Sequence, residues 1–353
     1  MLKNIFKKKN KKVFVGLSGG VDSAVSLYLL KKQGYDVTGV FIKTWQPDYI
    51  ECTWKQDRLD ALRVCSQLDI PFLTFDLENE YKKHVIDYFL NEYKNNRIPN
   101  PDIFCNKYIK FGGFYDFAMQ KDANFIATGH YAQIKDGFLY ESQDKNKDQS
   151  YFLYQIDKKI LPKILFPIGA LNKNKVRQIA KSKKLFVAEK KDSQGICMLG
   201  DISVKDFLIR ELNLQPGDVI NEQGEAIGTH FGSQLYTIGE RHGFRIDKKT
   251  DHDKAFYVIN KQAEYNRIVV SNIPPQVQKA SLIQLHQTNW LSDMRSGSKL
   301  KVRFRYHGKL FDAKLYQKEN RCELISDAEG IVSGQSAVFY RDDGEVVGGG
   351  IIL

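Results

Sequence analysis

The sequence predicts an α/β fold: a doubly wound parallel sheet, then a small central domain, then a C-terminal β-barrel. Three observations carry this. Strand-like and helix-like segments alternate through the first two hundred residues, which implies βαβ units. After about residue 205 the alternation gives way to Gly-rich turns such as "GEAIGTH" and "QLYTIGERHGF". From about residue 276 the pattern is all-β, with alternating "KLKVRFRYHGKLFDAKLY" and an Asp-Gly turn inside "FYRDDGEVVGGGII". The expected boundaries are 1–202, 203–275 and 276–353, and 353 residues exceed what one ordinary core needs.

In order along the chain, "KVFVGL" (12–17) reads as a strand and "AVSLYLLKKQG" (24–34) as a helix stopped by Gly34. "DVTGVFIKTW" (36–45) is a second strand. "KQDRLDALRVCSQLD" (55–69) is helical, with Leu59, Leu62, Cys65 and Leu68 expected near one buried face. "IPFLTFDL" (70–77) gives a third strand, "NEYKKHVIDYFLNEYKNN" (79–96) an amphipathic helix, and "NFIATGHYAQI" (124–134) a fourth strand. "SVKDFLIREL" (203–212) has the look of a capped helix.

No apolar run is long enough to cross a bilayer, so no membrane partner is expected. The basic "MLKNIFKKKNKK" lacks the apolar stretch of a secretory signal, and a cytoplasmic location is expected. Lys and Arg outnumber Asp and Glu by 53 to 42, a net charge of +11 that favours a polyanionic partner. None of the five cysteines lies in a CxxC pair, which argues against a zinc ribbon or a thioredoxin-like site. Cys52, Cys65 and Cys322 read as structural.

"GLSGGVDSA" (16–24) joins the first strand to the first helix. Gly16, Gly19 and Gly20 let a ligand approach the backbone, while Ser18, Ser23 and the helix N–H groups supply donors where the helix dipole favours negative charge. A lysine-bearing Walker loop is excluded, because Val21 and Asp22 follow Gly20. "NPDIFCN" (100–106) poses a different question. Cys105 reads as a buried small hydrophobe or as a thiol set beside the Asp102 carboxylate; the first is the commoner fate of a free cysteine, and the local string does not decide.

The SGGVDS string resembles the pyrophosphatase-loop ATPases, whose fold is adenine nucleotide α-hydrolase-like and which split ATP between its α- and β-phosphates. "RIPNPDIFCNKYIKF" (97–111), "ATGHYA" (127–132), "NKDQSYFLYQI" (146–156), "KKDSQGICMLG" (190–200), "YTIGERHG" (236–243) and the terminal "GQSAVFY…GGGII" occur in that order. Together they resemble the tRNA-specific 2-thiouridylases from about residue 12 to 353.

That resemblance implies ATP-dependent 2-thiolation of the wobble uridine of tRNA, releasing AMP and pyrophosphate. It implies Cys105 as nucleophile, Cys197 as persulfide carrier, the two as a redox pair able to form a disulfide, and Asp102 beside the target base. ATP contacts are implied for Gly16, Leu17, Ser18, Gly19, Gly20, Val21, Asp22, Ser23, Ile42 and Gly129, with Mg2+ helped by Asp22. Ile42 stands where the family usually has methionine, leaving apolar contact to adenine. Asn100, Pro101, Asp102, Lys147, Asp148, Gln149, Arg305 and Tyr306 are the implied tRNA contacts. The implied partners are tRNAs for Lys, Glu and Gln, and a cysteine desulfurase or relay protein as sulfur donor.

The residues also bear on the chemistry directly. Uracil's carbonyl is a poor electrophile with a poor leaving group, so adenylation makes displacement by sulfur feasible. Both thiols need a depressed pKa, for which Lys107, Lys110, Lys190 and Lys191 are candidates. His130 reads either as polar lining near the nucleotide or as a satisfied structural histidine. "GFRIDKKTDHDK" (243–254) departs from the family's Gly-Leu-Gly-Ile-like turn. Two other readings compete: an amidotransferase-type synthetase, which gives Cys197 no work, and a nucleotide-gated RNA-binding protein, which leaves both cysteines idle.

Overall fold

The computed structural model describes residues 11–49, 53–191, 203–247, 254–275, 282–325, 328 and 331–353. Its first sheet is parallel throughout, built from β1 (Lys12–Leu17), β2 (Asp36–Lys43), β3 (Phe72–Asp76), β4 (Phe125–Ala127) and β7 (Ile164–Leu165) in the order β3-β2-β1-β4-β7. The chain steps outward from β1 to β3, then returns to place β4 on the other side of β1. That reversal opens a crevice at the carboxyl ends of β1 and β4, the usual ligand position in such sheets. The strands are apolar because helices cover both faces; Val13, Val15, Val40 and Ile126 are fully buried.

Two local expectations need correction. In the helix Thr53–Gln67, the buried side is Ala61, Val64 and Cys65, while Leu59 and Leu62 are 37% and 36% exposed. A helix turns about 100° per residue, so a row at every third position drifts around the axis, and Leu59 lies roughly 120° from Cys65. Burial raises the Cys65 thiol to about 12, as expected of a packing cysteine. The expected fourth strand breaks after Ala127, and Gln133–Lys135 (β5) instead pairs with Phe138–Tyr140 (β6) in a hairpin. The backbone between, Thr128 to Ala132, leaves the sheet to line the crevice.

The helical segment after β3 runs from Glu78 to Lys94, with a π-helical turn at Lys82–Ile86. A second π-helical stretch, Cys105–Gly113, follows the short helix Pro101–Phe104. Such widened turns are common near functional sites because they re-aim side chains.

Beyond the helix Val204–Glu211, whose Asp206 N–H is capped by the Ser203 hydroxyl, β8 (Gly217–Ile220), β9 (Ala226–His230), β10 (Arg245–Ile246), β11 (Tyr257–Gln262) and β12 (Arg267–Ser271) form a small sheet. The last six strands close a barrel: β13 (Leu282–Trp290), β14 (Ser298–Arg303), β15 (Phe311–Tyr316), β16 (Arg321–Leu324), β17 (Ser336–Tyr340) and β18 (Val346–Ile352). Cys322 is buried inside it, its thiol raised to about 12 by that burial. The predicted fold class is borne out: a parallel sheet with helices, a small middle part and a closed C-terminal barrel. Among the described residues no helix is long and apolar enough to cross a membrane.

The barrel is fastened to residues 150–156. The Tyr151 hydroxyl donates to the Ser336 carbonyl at 2.9 Å, and the Tyr154 and Ser336 hydroxyls are 2.9 Å apart. The Asn289 Nδ2 donates to the carbonyls of Tyr154 and Ile156 at 2.7 and 2.8 Å. Removing a side chain that satisfies two carbonyls leaves both unpaired, so Asn289→Ala should lower unfolding stability by about 1–3 kcal/mol in urea denaturation. An unchanged midpoint would show that the clamp carries no stability.

Candidate active site

The phosphate loop occupies the crevice between β1 and β4. Ser18 N–H donates to Ser23 Oγ at 3.3 Å, the two hydroxyls are 3.4 Å apart, and Ser23 Oγ donates to the Gly20 carbonyl at 3.2 Å. These bonds hold the loop as a compact turn. Gly19 has φ +71, and a Cβ there would sit 2.4 Å from the Asp57 carbonyl oxygen, so both conformation and space demand glycine. The helix Val21–Lys32 begins at Gly20 with no side-chain cap, which leaves its first N–H groups for an anion.

Asp22 sits in that first turn. Its carboxylate accepts from the Tyr131 hydroxyl at 2.9 Å and from Lys173 Nζ at 2.8 and 2.9 Å. Lys173 also lies 5.9 Å from the Tyr131 ring centroid. Tyr131 lies in the quoted "ATGHYA" string, but Lys173 is not marked by its local sequence: it opens a lysine-rich helix, Lys173–Ser182, and reads like any surface lysine. Asp22 suits a Mg2+ held mainly by phosphate oxygens, since that ion keeps few protein ligands. Among the described residues no cluster of three or more His, Cys, Asp or Glu could hold a metal unaided.

The opposite wall is the loop after β4. A Cβ on Gly129 would lie 2.7 Å from Ser23 N and 2.8 Å from Asp22 C, so this loop is packed directly on the start of the helix. His130 is buried, its Nδ1 2.7 Å from the Thr128 hydroxyl and its Nε2 3.4 Å from Lys110 Nζ. Burial first, and the Lys110 charge second, hold its pKa well below the usual histidine value. The ring is therefore neutral near pH 7. Lys110 faces His130 here. Ile42 is 6% exposed near the end of β2, packed into the core on that side.

The segment carrying Cys105 forms the next wall. Asn100 caps its short helix by accepting from Asp102 N–H at 3.2 Å, with Pro101 in the first turn where no donor is needed. Cys105 is fully buried where the π-helical stretch begins. Just upstream, Ile98 is held by the barrel: its N–H donates to the Ser333 carbonyl at 3.2 Å and its carbonyl accepts from Gln335 Nε2 at 2.7 Å. Downstream, Asn106 Nδ2 donates to the Phe152 carbonyl at 3.2 Å.

The remaining sequence-chosen residues fall into two groups. Tyr306 packs on Phe152 at 4.4 Å between ring centroids. Its hydroxyl is held above the usual tyrosine range first by burial, then by the charges of Asp148 and Asp102. Tyr306 and Asp102 thus share one neighbourhood, and Arg305 is exposed beside them. Asp148, in contrast, is 2% exposed, accepting from Ser142 N–H and from the Ser150 hydroxyl, each at 2.8 Å, with Arg303 3.7 Å away. That burial makes it an internal brace of its own segment, beside the half-buried Lys147. Gln149 pairs with the Tyr131 backbone in both directions, at 2.8 and 3.0 Å, and so ties its segment to the crevice loop.

Lys190 binds Asp57 and Asp60, each at 2.7 Å. Burial would lower its pKa, but those carboxylates hold it above the ordinary lysine value, so its charge is committed there. Cys197 and Cys52 lie outside the described residues.

Residues 11–201, 205–272 and 280–352 match three family models, described as the tRNA methyl transferase HUP domain, the tRNA methyl transferase PRC-barrel domain and the aminomethyltransferase beta-barrel domain. A protein of Ligilactobacillus salivarius named tRNA-specific 2-thiouridylase MnmA is 42% identical over 360 residues, covering 98% of this chain and 96% of its own. One of the same name from Francisella tularensis subsp. tularensis is 41% identical over 371 residues, covering 98% and 100%. The chain belongs to the tRNA-specific 2-thiouridylase (MnmA) family. Solved structures are more distant. A 4-thiouridine synthetase in complex with RNA and ATP is 17% identical over 57% of this chain and 50% of its own, with a TM-score of 0.37. An NMN synthetase from Francisella tularensis is 20% identical over 57% and 74%, with a TM-score of 0.35. The family assignment rests on neither.

For a 2-thiouridylase, the close packing of Gly129 on the helix start is the feature most exposed to a small change. Gly129→Ala puts a methyl group against fixed backbone and should weaken ATP binding by about tenfold or more, measured by isothermal calorimetry. Wild-type affinity in that variant would show that the loop is not part of the nucleotide wall.

Proposed function

We propose that this chain catalyses ATP-dependent 2-thiolation of the wobble uridine of tRNA. Full-length membership of the 2-thiouridylase family is the observation that carries the reading. The crevice geometry supports it: an uncapped helix start and a Ser-Gly-Gly loop suit a polyphosphate, and the Cys105 segment stands at its side. Residues 1–202 would bind ATP and hold the thiols, 203–275 would contact tRNA, and 276–353 would complete the barrel that anchors the Cys105 segment.

The phosphate loop, from Gly16 to Ser23, would orient the triphosphate, with Ile42 and Gly129 at the nucleoside. Mg2+ held with the help of Asp22 would neutralise phosphate charge. The uracil 2-oxygen attacks the α-phosphorus, forming an adenylate and releasing pyrophosphate. Asn100, Pro101 and Asp102 would meet the base, which must be unstacked for the carbon to be reached. Lys147, Gln149, Arg305 and Tyr306 would meet the RNA around it. The internal brace Asp148 would act through Lys147 and Gln149.

Sulfur arrives on Cys197 as a persulfide from a cysteine desulfurase or relay protein. Cys197 is seven residues past Lys190, which is bonded to the helix beside the phosphate loop, and seven residues reach ~25 Å at most. In one route the terminal persulfide sulfur attacks the adenylated carbon, AMP departs, and the Cys105 thiolate closes a disulfide onto Cys197 Sγ. In the other, Cys105 first releases hydrogen sulfide, which then attacks. Both reduce one sulfane sulfur and oxidise two thiols. The expected tRNAs are those for Lys, Glu and Gln.

Single-turnover thiolation of an unmodified tRNA transcript tests this, with nucleoside mass analysis for 2-thiouridine and parallel AMP release. Wild type should form 2-thiouridine from a persulfide donor, and Cys105→Ser and Cys197→Ser should lose it by at least about a hundredfold. AMP release without 2-thiouridine, indifferent to both cysteines, would return the protein to the amidotransferase-type class.

A further inference from the structure

A cavity of about 380 Å³ lies between the Lys82–Lys94 helical segment, the Cys105 segment and β13 of the barrel. It opens on a face that neither the phosphate loop nor the Asn100–Asp102 turn lines. His84 and Tyr88 line it from one helical segment, four residues apart; Phe104 and Tyr108 line it from the other, also four apart. The rings stack directly on one another in pairs, His84 on Tyr108 at 4.6 Å and Tyr88 on Phe104 at 3.9 Å between centroids, which leaves only their outer faces to the cavity. Lys83 and Lys107 add positive charge to the lining, and among the described residues no carboxylate lines it. The floor toward the barrel is Gln287 and Thr288. Lys107 Nζ donates to Gln155 Oε1 at 3.0 Å, and Gln155 Nε2 to the Gln287 carbonyl at 2.6 Å, so that floor is fixed. Tyr88 also has a buried hydroxyl with no hydrogen-bond partner among the described residues.

We propose that this cavity is a second nucleotide subsite, which takes an unpaired nucleotide of the tRNA next to the reacting uridine. The inference rests on the tRNA reading above and deepens it. Flat rings flanked by cations fit a base on an aromatic face with its phosphate on lysine, the usual way single-stranded RNA is held. The volume falls in the range of small-ligand sites, roughly 300–1,000 Å³. Phe104 immediately precedes Cys105, so the cavity is lined by the same helical segment that carries the thiol.

The test is binding of an unmodified anticodon stem-loop RNA by fluorescence anisotropy, with thiolation measured in parallel. Tyr108→Ala should raise Kd about tenfold, while Tyr108→Phe, which keeps the ring, stays within about twofold of wild type. Lys83→Ala should weaken binding and flatten the salt dependence by about 0.7 in the log–log slope. The same Tyr108 pattern in a wild type that binds RNA but makes no 2-thiouridine would uphold the subsite and sink the thiolation reading instead. An unchanged Kd in folded Tyr108→Ala overturns the proposal. So does an unchanged Kd with loss of turnover only when a sulfur-donor protein replaces sulfide, which would assign the cavity to that protein.

Discussion

The return of the chain across β1 is the constraint on which the rest depends. Because β4 lies on the far side of β1 from β2, the loops after β1 and β4 face each other, and Gly129 packs onto the backbone of Asp22 and Ser23. Every other wall of the site is referred to that contact. Tyr131, two residues beyond Gly129, bonds Asp22, and Gln149 bonds Tyr131, so the crevice loop carries the Asp148 segment with it. Lys173 reaches the same carboxylate from a later helix. A polyphosphate placed on the helix start would therefore touch a network already organised, with little left to reorder.

The barrel buttresses the thiol segment. Gln335 and Ser333 hold Ile98 just before Asn100, and Asn289 and Ser336 hold residues 151–156, which in turn hold Asn106. Arg303 reaches from the barrel to Glu141 and Asp148 at 3.4 and 3.7 Å, with Tyr340 over its plane at 5.2 Å. Buried ion pairs of this kind add little net stability, because desolvation offsets the attraction, but a misdocked barrel would leave the Arg303 guanidinium without its carboxylates. The arrangement fixes where the barrel sits, and through Ile98 it fixes where Cys105 begins.

The strand-to-helix junction at residues 16–24 was legible because its signals are local: glycines and serines there can be read without knowing what packs on them. The barrel was legible for the same reason, from alternation and an Asp-Gly turn. What escaped the sequence is non-local. Lys173 meets Asp22 across 151 positions, and Gln335 meets Ile98 across 237. The face of the Thr53–Gln67 helix was misjudged because leucines at every third position do not keep to one side, and the core there chose Ala61 and Val64. Asp148 was an implied tRNA contact in "KDQ"; it is buried, bonded to nearby Ser142 and Ser150 and facing Arg303 from the distant barrel.

In the proposed reaction Cys105 and Cys197 are partners, whichever route sulfur takes. The most direct test is peptide mapping by mass spectrometry after a single turnover of persulfide-loaded enzyme with tRNA and ATP, quenched by alkylation. The account predicts one Cys105–Cys197 disulfide for each 2-thiouridine formed. Stoichiometric 2-thiouridine with both cysteines recovered as alkylated thiols would contradict it.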